Sequence, residues 1–345
     1  MALDPSDATL DRARALGFTV AGTFVASDLS LRIVRFRTPL GINALVGRRL
    51  LSEDNPELFE LNSFFALQAG QCDGQICGAH QQIGWPSRPS RCGAGVRIGI
   101  VDTTVDTSRR ALRAAQIQTR RFTPKDAKNA DGAHGTAVAG LLVGDVDSAH
   151  PGLLRSSRLF AADPFYRANR TAVADTAGVV QALNWLVGRR AAVIGMPLAG
   201  PRNQLLELAI ETAVRKGVVI VAAAGNAGPG AAPAYPAAID GVIAVTAIDD
   251  GGRVYRRANQ GDYIDFALPG VDVWTIGRGD GRARSGTSFA VPFMMALLAE
   301  GLRTRRTDAK VAVAGRNPFD TVDLGRRGRD AVFGWGLPRH RSKCG

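Results

Sequence analysis

Gly286-Thr287-Ser288-Phe289-Ala290-Val291-Pro292 joins the glycine-rich segment RGDGRARSG to the apolar run FAVPFMMALLAEGL, which predicts a buried helix with Ser288 in its first turn. The first N–H groups of a helix have no intrahelical acceptor, and the helix dipole is positive there, so an oxygen that becomes negative is stabilised at that end. Pro292 carries no N–H, which takes from the Ser288 carbonyl its usual helical partner and shapes the first turn. A serine hydroxyl is a poor nucleophile alone. The position has chemical meaning only if a base and an orienting carboxylate lie elsewhere in the chain.

Both are present. The run VRIGIV has strand character and ends at Asp102, while DGAHGTAVAGLLVG opens a helical run with His134 in its first turn. Between His134 and Ser288, VVIVAAAG leads from a further apolar strand to Asn226. Taken singly, each has a plain structural reading: a strand-end turn for Asp102, a polar helix start for His134, a left-handed turn for Asn226 and an N-cap for Ser288. Together, in the order Asp, His, Asn, Ser, they resemble the subtilisin-like serine peptidases, the subtilase family, over about residues 95–336.

The resemblance implies a serine endopeptidase in which Ser288 attacks a peptide carbonyl, His134 is the general base and Asp102 orients it. It places Asn226 in the oxyanion hole with the Ser288 N–H. It also implies an extended substrate added as a strand beside Pro197, Leu198, Ala199 and Gly200, with Ala224 and Gly225 in the pocket wall. Gly225 and Gly286 keep the approach to the scissile bond free of side chains. Gly195, Pro197 and Ala199 depart from the family's Asn-Met-Ser-Leu-Gly pattern, and Ala137 stands where a second histidine is common, so substrate preference is left open. No catalytic cofactor is expected. The resemblance leaves room for structural calcium, whose ligands the spacing does not identify.

Around these motifs the chain reads as α/β. The candidate strands VRIGIV, RLFAAD, AAVIGM, GVVIVAAA and GVIAVTAI are continuously apolar, as strands of a parallel sheet buried on both faces are. Helical segments such as GVVQALNWLVGRR and NQLLELAIETAVRKG alternate with them. The expectation is a doubly wound, mostly parallel sheet with helices on both faces, and with Asp102 and Asn226 beyond the carboxyl ends of its strands. Residues 1–70 read as helix, strand, strand, helix and a last strand in ELNSFFAL. By resemblance this is a ferredoxin-like prodomain in which no strand is read ahead of the first helix, and it is an expected intramolecular inhibitor. A Cys-containing connector over 71–94, without helical or strand period, leads to a catalytic domain over 95–345. Self-cleavage between about Phe65 and Arg91 is expected to open the groove.

With 345 residues, 46% apolar and 21% charged, the composition is that of a globular protein with a large core. The net charge is +12, almost all from arginine, but pairs such as Arg109-Arg110, Arg120-Arg121, Arg189-Arg190 and Arg326-Arg327 lack interleaved aromatics. Nucleic acid is therefore not an expected partner; protein or peptide substrates are. No apolar run approaches the roughly 20 residues of a membrane span, and MALDPSDATLDRARAL lacks the features of a secretory signal. That absence and the missing strand together raise the expectation of a start upstream of Met1 or of a trimmed chain.

The cysteines point outside the cytosol. Cys72, Cys77, Cys92 and Cys344 occupy a loop-like stretch and the C-terminus, and the pairing favoured is Cys72 with Cys77 and Cys92 with Cys344. A periplasmic or secreted location is expected. A zinc site is the rival, weakened because the C-x4-C spacing has no second close pair.

Other functions fit less well. An acid peptidase of the sedolisin type would carry Glu at the His134 position. An α/β-hydrolase esterase would need Gly where Ala290 stands, and GNAGPG lacks the lysine of a phosphate loop. The remaining alternative is a catalytically silent or permanently inhibited binding protein on the same fold.

Overall fold

The computed structural model describes residues 1–53, 55–67, 70–71, 78–86, 91–145, 151–277, 281–304, 316–340 and 344. Its centre is a seven-stranded sheet in which every neighbouring pair is parallel. In spatial order the strands are Phe266–Pro269, Val242–Ile248, Val219–Ala223, Val193–Met196, Arg97–Val101, Arg158–Asp163 and Ile117–Arg121. After Arg97–Val101 the chain lays down the edge strand Ile117–Arg121, fills the place between them with Arg158–Asp163, and then crosses to the other side with Val193–Met196. The strand order therefore reverses beside Asp102, where open α/β sheets form their ligand crevice.

The doubly apolar character of these strands has a simple cause. Along Val219–Ala223, Val219, Val221 and Ala223 belong to one core cluster, whereas Ile220 and Ala222 belong to the other. Successive side chains point to opposite faces of a strand, so a strand between two helical layers must be apolar throughout. One face carries the histidine helix, Ala133–Val143, and the serine helix, Thr287–Arg303. The other carries the helices Thr176–Gly188 and Gln204–Arg215.

Two strands of this sheet escaped the sequence reading. Ile117–Arg121, sequence IQTRR, is an edge strand with four exposed residues and so has no apolar run to reveal it. Phe266–Pro269 is four residues long and ends in proline, which reads as a turn until the sheet edge beside it is known.

The N-terminal region forms a three-stranded antiparallel sheet from Thr19–Ala26, Leu31–Arg37 and Ala2–Leu3, with the helices Asp7–Ala15 and Ala44–Ser52. Ala2–Leu3 is a strand ahead of the first helix, contrary to the sequence expectation; two residues are too short to show alternation. Ala2, Ala13, Phe18, Leu51 and Phe59 form a small separate core. Leu29, Leu31 and Ile33 instead join the core beneath Thr176–Gly188 and Gln204–Arg215, so this region is packed onto those two helices.

Their N-termini are capped from it as well. Thr176 N–H donates to Ser63 O at 2.8 Å, Ala177 N–H to Asn62 Oδ1 at 3.0 Å and Gln204 N–H to Glu60 Oε2 at 3.3 Å. These are donors that a helix start leaves without intrahelical acceptors.

The connector contains a short helix, Ala79–Gln82, that its composition did not announce, and Trp85 Nε1–H donates to Leu153 O at 3.1 Å. Cys92 and Cys344 form a disulfide across 252 residues. The expected Cys72–Cys77 pairing lies outside the described residues. No described helix is long and apolar enough to cross a membrane.

Candidate active site

Asp102 stands directly after Val101, so the central strand delivers its carboxylate to the crevice, where it is 1% exposed. Both carboxylate oxygens face His134 Nδ1, at 2.7 and 2.9 Å. The carboxylate also accepts the Thr103 N–H at 2.7 Å, which fixes its orientation. Thr103 Oγ1 in turn accepts the Gly135 N–H at 2.9 Å, tying the strand end to the start of the histidine helix. With Nδ1 held against a carboxylate, the proton sits on that nitrogen and Nε2 is the basic one. Nε2 is buried with no hydrogen-bond partner among the described residues.

The His134 ring lies 5.4 Å, centroid to centroid, from the ring of Phe289, the residue after Ser288. Ser288 is fully buried in the first turn of the serine helix, and its hydroxyl donates to Pro197 O at 3.0 Å.

Asn226 is placed by the next strand and by Thr287. Its Oδ1 accepts the Thr287 N–H at 3.2 Å and the Thr287 hydroxyl at 3.0 Å. Oδ1 is thereby committed to the helix start, and the amide Nδ2 is the group turned away from it. Gly225, at φ +106°, occupies the left-handed region that glycine tolerates, and a Cβ there would lie 2.8 Å from Asn259 Nδ2. Asn259 braces the same turn, accepting the Ala227 N–H at 2.8 Å and donating to Ala232 O at 3.1 Å. The Ala224 carbonyl accepts the Tyr263 hydroxyl at 2.7 Å. Thr103, Thr287, Asn259 and Tyr263 were not singled out from sequence. Only Thr287, adjoining Ser288, carried a local signal.

A second carboxylate lies close by. Asp163 ends the neighbouring strand, accepts from Thr104 Oγ1 and from Phe165 N–H at 2.9 Å, and pairs with Arg121 at 3.2 Å. Burial pushes its carboxyl above the ordinary range, and the Asp102 charge adds to that; Thr104, Phe165 and Arg121 oppose it.

The strand-forming segment beside the crevice is occupied. Leu198–Ala199 pairs antiparallel with Phe64–Leu67 of the N-terminal region, Leu198 opposite Leu67 and Ala199 opposite Ala66. Phe64–Leu67 pairs on its other edge with Thr171–Asp175. Gly200 bridges to Tyr235, and a Cβ at Gly200 would lie 2.3 Å from the fully buried ring of Phe65. Beyond the crevice, Gly70–Gln71 pairs antiparallel with Arg282–Ser285, Gly70 opposite Ser285 and Gln71 opposite Arg284. The chain is thus paired on both sides of the crevice that holds Ser288. Among the described residues, no group of three or more His, Cys, Asp or Glu is placed to hold a metal ion.

Residues 93–336 match the model of the Subtilase family of S8 peptidases, and the chain belongs to that family. It is 28% identical over 260 residues to the minor extracellular protease Epr of Bacillus subtilis, covering 73% of this chain and 39% of that one. It is 30% identical over 217 residues to a cuticle-degrading serine protease of Arthrobotrys oligospora, covering 60% and 51%. The chain thus spans about half or less of those two relatives. Against subtilisin DY of Bacillus licheniformis, 30% identity over 240 residues covers 68% and 86%. Among solved structures, fervidolysin from Fervidobacterium pennivorans, described as a keratinolytic enzyme related to subtilisin, superposes with a TM-score of 0.76 at 18% identity. That likeness spans 97% of this chain and 59% of fervidolysin, and at this identity it shows the fold alone.

Proposed function

We propose that the chain is a serine endopeptidase using Asp102, His134 and Ser288, with the Asn226 amide and the Ser288 N–H stabilising the oxyanion. The observation that carries this reading is the buried Asp102–His134 pair at 2.7 Å, delivered to the crevice that holds the start of the serine helix. His134 Nε2 takes the Ser288 proton as Oγ bonds to the carbonyl carbon, then gives it to the departing amine; water repeats the exchange to release the acyl group. Asp102 stays ionised and stabilises the imidazolium. Oxyanion donors fixed before the reaction lower the barrier because they need no reorganisation.

The paired segments on either side of the crevice support a second element of the reading, self-processing. Phe64–Leu67 lies as a substrate would along Leu198–Ala199, and Gly70–Gln71 lies along Arg282–Ser285. The bond cut would fall between Leu67 and Gly70, after which the N-terminal region remains docked as an inhibitor until it dissociates. Protein or peptide substrates would then take the same two strands, with a bulky apolar side chain where Phe65 sits. The disulfide and the likeness to the extracellular protease Epr favour action outside the cytosol.

Intact mass and fluorophosphonate labelling test the reading together. The expected result is cleavage within the Leu67–Gly70 interval and labelling of Ser288 in the wild type, both lost in Ser288→Ala. An unprocessed, unlabelled wild-type chain would favour the silent binding protein instead.

A further inference from the structure

A cleft of about 790 Å³ opens beside the site, lined by Asp131, Gly132 and Ala133 ahead of and within the histidine helix and by Arg282 and Arg284 of the strand paired with Gly70–Gln71. Asp106 and Arg109 complete its charged wall, giving three guanidinium groups against two carboxylates. Several of these charges are engaged. Arg109 donates to Gly277 O, Asp131 Oδ1 accepts the Ala133 N–H at 2.9 Å, and Asp106 Oδ1 accepts the Ser108 N–H at 3.1 Å.

Arg282 and Arg284 differ. Neither guanidinium has a hydrogen bond or an ion pair among the described residues, and Arg284 Nε is buried without a partner. In the strand Arg282–Ser285, Ala283 and Ser285 are buried while Arg282 and Arg284 are half-buried, so both arginines share the face turned to the cleft. Burial and the charge of Arg282 hold the Arg284 pKa below its usual value, against the pull of Asp131 and Asp102. A half-buried cation without an acceptor is a costly arrangement, relieved by an anion arriving from outside.

The strand pairing says where that anion would come from. Directly opposed positions of an antiparallel pair share one face of the sheet, with Cβ atoms about 4.5–5.5 Å apart. Gln71 is opposite Arg284, on the side of the crevice that a leaving peptide occupies. We propose that Arg284, assisted by Arg282, forms a cationic subsite that selects Asp or Glu in the substrate residue lying opposite Arg284, a few residues after the cleaved bond. The inference rests on the peptidase reading above and adds a specificity that the catalytic residues do not supply.

The test uses the full chain, incubated until its own processing is complete, and peptides reproducing residues 61–72 with Cys72→Ser. Position 71 is kept as Gln or changed as Gln71→Glu or Gln71→Lys. The expected result is a kcat/KM about 10-fold higher for the Glu than for the Lys peptide at low salt, converging toward one at about 1 M salt, where screening is short-ranged. Arg284→Gln is expected to bring the ratio near one at any salt, Arg284→Lys to retain most of it, and Arg282→Gln to lower it partly. Equal turnover of the three peptides by the wild type, or a ratio unmoved in Arg284→Gln and Arg282→Gln, overturns the proposal while the peptidase reading stands. No turnover of any peptide, with Ser288 unlabelled by fluorophosphonate, overturns both.

Discussion

Thr287 holds Asn226 by two donors, its N–H at 3.2 Å and its hydroxyl at 3.0 Å from Oδ1, while the same hydroxyl accepts the Gly225 N–H at 3.2 Å. One buried residue therefore locks the turn after Val219–Ala223 to the start of the helix Thr287–Arg303. Thr287→Val keeps the shape and removes the hydroxyl. The expected outcome is a fall in kcat of about 10-fold with KM nearly unchanged, because the donor is misplaced for the oxyanion and not for the bound substrate. Asn226→Ala removes the donor and should cost roughly 10²- to 10³-fold in kcat. Steady-state kinetics on a peptide substrate check both.

Asp102→Asn preserves the volume but favours the wrong His134 tautomer. A loss of roughly 10⁴-fold in kcat is expected, with slow or absent self-cleavage visible by intact mass.

Gly225→Ala should destabilise the fold by about 1–3 kcal/mol, since the left-handed backbone and the 2.8 Å approach to Asn259 Nδ2 both oppose a Cβ. Calorimetry would show the lowered Tm, and kcat should fall because Asn226 is the next residue.

Phe65 is fully buried where the N-terminal region meets the groove. Phe65→Ala removes an anchor whose loss typically costs about 3–5 kcal/mol. The expected outcome is faster dissociation of the cleaved N-terminal region and a shortened lag before peptide turnover begins.

His80 packs edge-on against Phe293 in the serine helix, ring centroids 6.0 Å apart, and burial lowers its pKa to about 4. The unfolded chain takes up this proton near pH 6.5 and the folded chain only near pH 4, so stability is lost as pH falls through that window. The loss is on the order of 2–3 kcal/mol. The difference in Tm between wild type and His80→Leu, followed from pH 7 to pH 4, should change against the wild type as the medium becomes acidic.

The polymer's order of residues determined the candidate site residues and most of the sheet. Strands such as Val219–Ala223 betray burial on both faces by being apolar at every position, and Ser288 is marked by the helix it opens. His134 and Asp102 are readable because each stands at the end of a regular element. The missed strands Ile117–Arg121 and Phe266–Pro269 have no such mark, since an exposed edge and a proline-ended strand are defined by their neighbours.

Tertiary structure alone decided the contacts made across the chain. Thr287 with Asn226, Asn259 under Gly225, and Glu60, Asn62 and Ser63 capping two distant helices join residues up to 144 positions apart. Likewise only the antiparallel registers show Phe64–Leu67 and Gly70–Gln71 flanking the crevice and Arg284 facing the chain beyond it. Local sequence sets which backbone conformations are favourable, but hydrogen-bond partners and charge neighbours depend on distances in space, and those exist only once the sheet has brought its strand ends together.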